Sequence, residues 1–202
     1  MAIRVGITGG MGSGKSIVSA IFETLGIPVY QADDAAKRLM NEDEKVKEQL
    51  IACFGDVVYV KGALNRSHLA AEVFNDTEKL TLLNSIVHPA TIIDGEKWMQ
   101  QQISPYAIKE AAIIFESGSQ KYLDYIIGVY APVTLRIYRS MKRSNLSREE
   151  VTARMNQQMD DAIKMKLCDI VITNDEQQAL IPQVLKVHQT IIEMSTSQMK
   201  GV

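Results

Sequence analysis

Short apolar runs rich in β-branched residues recur along the chain at IRVGIT (3–8), PVYQAD (28–33), YAIKEAAIIF (106–115), YIIGVYA (125–131) and CDIVITN (168–174). Between them lie longer stretches whose apolar positions fall at helical spacing. Strands alternating with helices predict an α/β fold: a five-stranded parallel sheet with helical crossovers, in three layers.

Two departures from simple alternation stand out. About seventy residues separate the second and third runs, more than one crossover helix needs, and they include FGDVVYVKGALNRSHLAAEVF. An inserted, mainly helical subdomain over 34–100 is the expectation. After the fourth run, TLRIYRSMKR reads as one helix and SREEVTARMNQQM as a second, joined through Ser144, Asn145 and Leu146. Ser147 and Glu150 form a capping-box pattern at the start of the second helix. This hairpin, residues 133–165, has the make-up of a lid. The core then comprises 1–33, 101–132 and 166–202. Leu180, Val184, Val187 and Ile191 share one face of the segment 176–195, so a final amphipathic helix is expected there.

Composition narrows the partners. The chain has 202 residues, 46% apolar and 23% charged, with a net charge of −2. Nucleic-acid binding rests on surplus Lys and Arg, so a nucleic acid is not the expected partner. No apolar run approaches a bilayer span, and IRVGIT follows the first residue too closely to leave room for a leader, so a cytoplasmic protein without membrane contact is expected. Cys53 and Cys168 show no metal or disulfide spacing, and reduced, mostly buried thiols are expected. The Asn65-Arg66-Ser67 sequon carries no weight without secretion. A small-molecule substrate and a monomer or weak homo-oligomer complete this picture.

The chemistry begins at GITGGMGSGKS (6–16). Gly9, Gly14, Lys15 and Ser16 fit GxxxxGK[ST], with a strand before the pattern and the helical SIVSAIFETLG after it. Glycines allow successive backbone N–H groups to face phosphate oxygens, and the helix adds its positive end. Gly10, Met11, Gly12, Ser13, Gly14, Lys15, Ser16 and Ile17 are therefore the nucleotide-binding candidates. Lys15 suits the β- and γ-phosphates, and the Ser16 hydroxyl suits Mg²⁺. ATP with Mg²⁺ is the implied cofactor pair. No NKxD or DxxG pattern supports a GTPase switch.

A kinase also needs a group that orients the acceptor. Asp33, at the end of the second run, suits that role, although an Asp there also suits a helix start, as does Asp34. Arg136, Arg139 and Arg143 fall at spacings of three and four, which puts them on one helix face able to grip polyphosphate; a solvated basic face is the plainer alternative. Glu116 closes the third run, where a carboxylate can hold magnesium-bound water or a substrate group. His88, before Pro89, follows the helical LTLLNSIV and is expected where the insertion returns toward the sheet; a structural histidine is the plainer alternative. His68 and His188 sit in no motif.

These residues, taken with GIPVYQADDAAKRL, LNRSHLAAEVF, LNSIVHPATI, AAIIFE, YRSMKRSNLSREEVTARMNQQM and CDIVITND, closely resemble the dephospho-coenzyme A kinase family in order and approximate spacing. The resemblance implies transfer of the ATP γ-phosphate to the ribose 3′-hydroxyl of dephospho-CoA. It implies Asp33 as base or orienting group, Arg139 and Arg143 as lid arginines, His88 at the acceptor site, and Asn174 near the adenine. Gln31 and Ala112 depart from the Asp and Pro that relatives often carry, and Cys168 from a common Ala. A P-loop kinase for another small nucleoside or alcohol, or a nucleotide-dependent regulatory module, are the alternatives.

Overall fold

The structure, a computed structural model, describes residues 2–74 and 76–200. In chain order its elements are β1 (Ile3–Thr8), α1 (Lys15–Thr24), β2 (Val29–Gln31), α2 (Ala32–Glu42), α3 (Glu44–Phe54), β3 (Tyr59–Val60), β4 (Ala63–Leu64), α4 (Arg66–Phe74) and α5 (Thr77–Gln100). They continue as β5 (Tyr106–Glu110), β6 (Tyr125–Tyr130), α6 (Val133–Ser144), α7 (Arg148–Asn156), α8 (Asp161–Lys166), β7 (Ile170–Thr173) and α9 (Leu180–Lys200). The chain forms two compact units: the segment ending at Gln31 with the segment beginning at Trp98, and a second unit of Ala32–Lys97.

In the first unit five strands run in the order β2-β5-β1-β6-β7, every neighbouring pair parallel. The sequence runs are apolar because helices cover both faces of such a sheet. Val5, Ile7, Ile108 and Ile127 are fully buried and pack with Val18 and Phe22 of α1 and Val184, Val187 and Ile191 of α9. Each such side chain contributes roughly 1.5–3 kcal/mol on burial. The apolar face expected for the last helix is thus the one that covers the sheet. β1 lies centrally, and Ile7 sits in register with Glu110 on one side and Ile127 on the other. The phosphate loop leaves β1 where ligands bind in open parallel sheets, beyond the carboxyl ends of the strands.

Two strands stop earlier than their sequence runs. β2 ends at Gln31, and Asp33, expected at the strand end, stands in the first turn of α2 beside Asp34. Paired carboxylates favour the positive end of a helix, and that preference wins over the strand pattern. β5 ends at Glu110 rather than at residue 115, where β2 ends opposite it at Gln31 and its pairing with β1 runs out at Ile7. The apolar AAIIF continues as a turn, held by Ala111 N donating to Ile7 O at 3.0 Å and Thr8 Oγ1 donating to Ala112 O at 3.3 Å, with Ile114 fully buried.

The hairpin of α6 and α7, expected as a lid, belongs to the first unit. Asn145, in left-handed conformation, ends α6, and the Ser147/Glu150 capping box starts α7 with both reciprocal bonds formed. The second unit packs Val46, Leu50, Val58, Leu64, Leu69 and Ile86 into its own core. Its helices are joined by one antiparallel hairpin, β3–β4, within the segment read as mainly helical. Cys53 is exposed and Cys168 half-buried, both free, so the expectation of buried thiols fails at Cys53. Burial and the neighbouring Asp169 push the Cys168 thiol up to about 11, which keeps it unreactive.

Candidate active site

The loop between β1 and α1 is a phosphate cradle by its backbone. Gly14 caps α1 at φ 94°, and no side chain caps that end, so its positive terminus is open to an anion. A Cβ at Gly14 would strike Asn174 Nδ2, which donates to Ser13 O at 2.9 Å. A Cβ at Gly10 would strike the Arg136 guanidinium and sit 2.6 Å from Asp161 Oδ1. Close approach demands glycine at both positions, and at Gly14 the backbone angle demands it as well. Lys15 Nζ donates to Gly9 O at 3.0 Å, folding the ammonium back over the loop. Ser16 and Ile17 are exposed.

Helices α6 and α8 and the segment between them hold this loop from one side. Arg136 Nε donates to Met11 O at 2.9 Å, and Met11 N donates to Gln158 Oε1 at 2.9 Å, so both polar groups at Met11 are held by the hairpin. Arg136 is 3% exposed and forms an ion pair with Asp161. It therefore braces the loop instead of presenting a charge to a ligand, and the shared face expected for three arginines divides by depth. Arg139 donates to Asn174 O at 3.2 Å, to Asn174 Oδ1 at 3.4 Å and to Glu176 Oε1 at 3.0 and 3.3 Å. Arg143, one turn further along α6, is exposed.

At the end of β5 the structure adds a carboxylate that sequence reading missed. Glu110 Oε1 lies 3.5 Å from Ser16 Oγ. Its signal was the acid at the last sheet residue, obscured by the apolar AAIIF that follows. Glu116, expected to close the strand, stands in the turn beyond it. Its Oε1 accepts from Lys164 Nζ at 2.8 Å and Met159 N at 2.9 Å, and Lys164 Nζ also donates to Ala112 O at 2.9 Å. Burial pushes the Glu116 carboxyl up, but the bonds from Lys164 and Met159 outweigh it and hold the group below the usual carboxylate range.

Asp33 and His88 lie in the second unit. Asp33 is exposed on α2. His88 is half-buried inside α5, which runs continuously through Pro89 and leads on to β5. Pro89 removes only one helical bond, and a helix of that length tolerates the loss. Burial lowers the His88 pKa and keeps the ring neutral.

Ser16 and Glu110 offer two hard oxygen ligands on adjacent elements, a donor set that fits Mg²⁺ bound by few protein groups together with phosphates. Among the described residues no cluster of three or more His, Cys, Asp or Glu forms a self-sufficient metal cage. A glycine loop over a helix end, a lysine above it and an arginine-bearing helical hairpin beside it, on a parallel sheet, define a P-loop phosphotransferase. The fold agrees with that of shikimate kinase from Acinetobacter baumannii, which aligns at a TM-score of 0.55 over 96% of this chain and 94% of that one, at 14% identity.

Closer likeness names the family. The dephospho-CoA kinase family model matches residues 3–179. Dephospho-CoA kinase from Bacteroides fragilis is 38% identical over 92% of this chain and 91% of its own length, and that from Porphyromonas gingivalis is 37% identical over 94% of each. The Campylobacter jejuni dephospho-CoA kinase structure aligns at a TM-score of 0.71 and 28% identity, covering 96% of this chain and 98% of that one. A Thermus thermophilus protein, TT1252, aligns at 0.80 and 34% identity, with 96% and 97% covered. The chain belongs to the dephospho-CoA kinase family.

Proposed function

We propose that this chain transfers the γ-phosphoryl group of ATP to the ribose 3′-hydroxyl of dephospho-CoA, giving CoA and ADP, the final step of coenzyme A biosynthesis. The observation that carries the reading is the family match across sheet, insertion and lid, combined with a phosphate loop whose backbone the lid helices hold in place.

Phosphoryl transfer asks the protein for position and charge more than for covalent chemistry. The α1 end and Lys15 bind the β- and γ-phosphates. Ser16 and Glu110 would hold Mg²⁺, which when bound neutralises charge between those phosphates. Asn174, from behind the loop, sets the adenosine side of the site. Arg143, exposed on the lid, supplies positive charge to the transferring group, and closure of the lid excludes water so that a sugar hydroxyl reacts in its place. Asp33 orients that hydroxyl and accepts its proton as the new P–O bond forms. His88 belongs to the acceptor subdomain, where a neutral imidazole can bond the substrate. Glu116 acts through the turn that it and Lys164 anchor. The substrate side is a small molecule in the cytoplasm, and the working form is a monomer or weak homo-oligomer.

The test is ADP release from Mg-ATP with dephospho-CoA set against a series of nucleosides and sugar alcohols. Selective stimulation by dephospho-CoA is expected. Stronger stimulation by another acceptor overturns the substrate assignment and keeps the kinase.

A further inference from the structure

The ion pair between Arg139 and Glu176 is hard to account for as stability. Glu176 is a non-glycine residue at φ 65°, held there by a turn in which Asp175 Oδ1 accepts from Gln177 N and Gln178 N at 3.0 and 2.9 Å. Left-handed backbone strains such a residue by as much as, or more than, an exposed ion pair returns. The Glu176 side chain is 65% exposed, so the pair is of the weak kind. Its effect on Arg139 is larger. A guanidinium has five N–H groups in a fixed fork. Nε and one Nη2 hydrogen go to Glu176, the other Nη2 hydrogen to Asn174 Oδ1, and one Nη1 hydrogen to Asn174 O. One Nη1 hydrogen is left. Asn174 in turn donates to Ser13 O, so the group so restrained is tied to the phosphate loop itself.

We propose that Glu176 is a positioning residue that restrains Arg139 to a single-donor, charge-compensated contact with nucleotide. Of the three arginines on α6, Arg143 is thereby the one without an ion pair among the described residues. The restraint weakens ground-state binding of ATP and of ADP alike, which favours product release; a free Arg139 would clasp polyphosphate with both arms of its fork. The inference rests on the ATP site of the proposed function and is independent of the acceptor.

The experiment is calorimetric titration of the full chain with Mg-ADP, which needs neither acceptor nor turnover. Glu176→Gly removes carboxylate and strain together, and should tighten ADP binding about threefold to tenfold while thermal stability stays level or rises. Glu176→Gln, which keeps an acceptor oxygen, should fall between Glu176→Gly and wild type. In an Arg139→Gln background the Glu176→Gly change should have no effect on ADP binding. Unchanged or weaker ADP binding in Glu176→Gly overturns the proposal, and so does equal tightening in the Arg139→Gln background, which would mark a general effect of removing negative charge. A wild-type protein that binds no ADP overturns this inference together with the ATP site. Normal ADP behaviour without turnover of dephospho-CoA overturns only the acceptor assignment.

Discussion

Replacing Lys164 by Met tests how α8 is fastened to the turn after β5. The Lys164 side chain is fully buried, and its ammonium is divided between Ala112 O at 2.9 Å and Glu116 Oε1 at 2.8 Å, while the Glu116 side chain is 22% exposed. Methionine fills nearly the same space but leaves the carboxylate without its cation. Removing one partner of a buried pair costs about 3–5 kcal/mol. Partial exposure and the surviving bond from Met159 N place this case near the lower end, about 3 kcal/mol, a large share of the ~5–15 kcal/mol that holds a domain folded. Urea unfolding followed by far-ultraviolet circular dichroism and by Trp98, the single tryptophan, measures the loss directly. The double variant Lys164→Met with Glu116→Gln should recover about 1–2 kcal/mol, because the stranded charge is gone. The sign with pH follows from the depressed Glu116 carboxyl. Its stabilising effect is present above the ordinary carboxylate value, about 4.3, and is lost as pH falls through the lower folded value. Lys164→Met should flatten that acid limb. A cost below about 1 kcal/mol, or a double variant no more stable than the single one, would refute the reasoning.

Other outcomes follow from individual residues. Asp33→Asn should bind ATP normally and lose roughly 10²–10⁴-fold in kcat, the range expected for a missing general base; a near-normal rate removes Asp33 from its role. Gly14→Ala places a methyl group against Asn174 Nδ2 at a backbone angle of 94°, and should cost about 1–2 kcal/mol in urea unfolding while raising KM for ATP. His88 is kept neutral by burial, so the unfolded chain takes up its proton first; stability should fall as pH drops from about 6.5 toward the lower folded value. His88→Gln should remove that slope, and an unchanged slope between pH 7 and pH 5 denies the effect.

Much of the fold was legible because its signals are local. β1 and β6 are short apolar runs flanked by breakers, the phosphate loop carries its glycines in fixed order, and Ser147 with Glu150 marks a helix start that formed as expected. The ends of β2 and β5 were not legible, since a strand stops where its neighbours stop, and that is a property of pairing between distant segments. For that reason the acid at the strand end is Glu110, where the apolar run pointed to Glu116. The three arginines share a helix face by spacing, but only the packing of α6 against Met11 separates the buried Arg136 from the exposed Arg143. Asp161, Lys164 and Glu176 lie outside every motif, and Gln158, inside YRSMKRSNLSREEVTARMNQQM, had no role marked by that segment. Gln158 meets Met11, 147 positions away, and Lys164 meets Glu116 across 48, distances at which no periodicity speaks.

The most direct measurement is the product itself. Mg-ATP and dephospho-CoA should be incubated with the protein, the acceptor product weighed by mass spectrometry, and the position of its new phosphate read by phosphorus NMR. The account predicts one added phosphoryl group on the ribose 3′-oxygen, formed in step with ADP and almost absent with Asp33→Asn. ADP formed without that product, or a phosphate on any other oxygen, would contradict it.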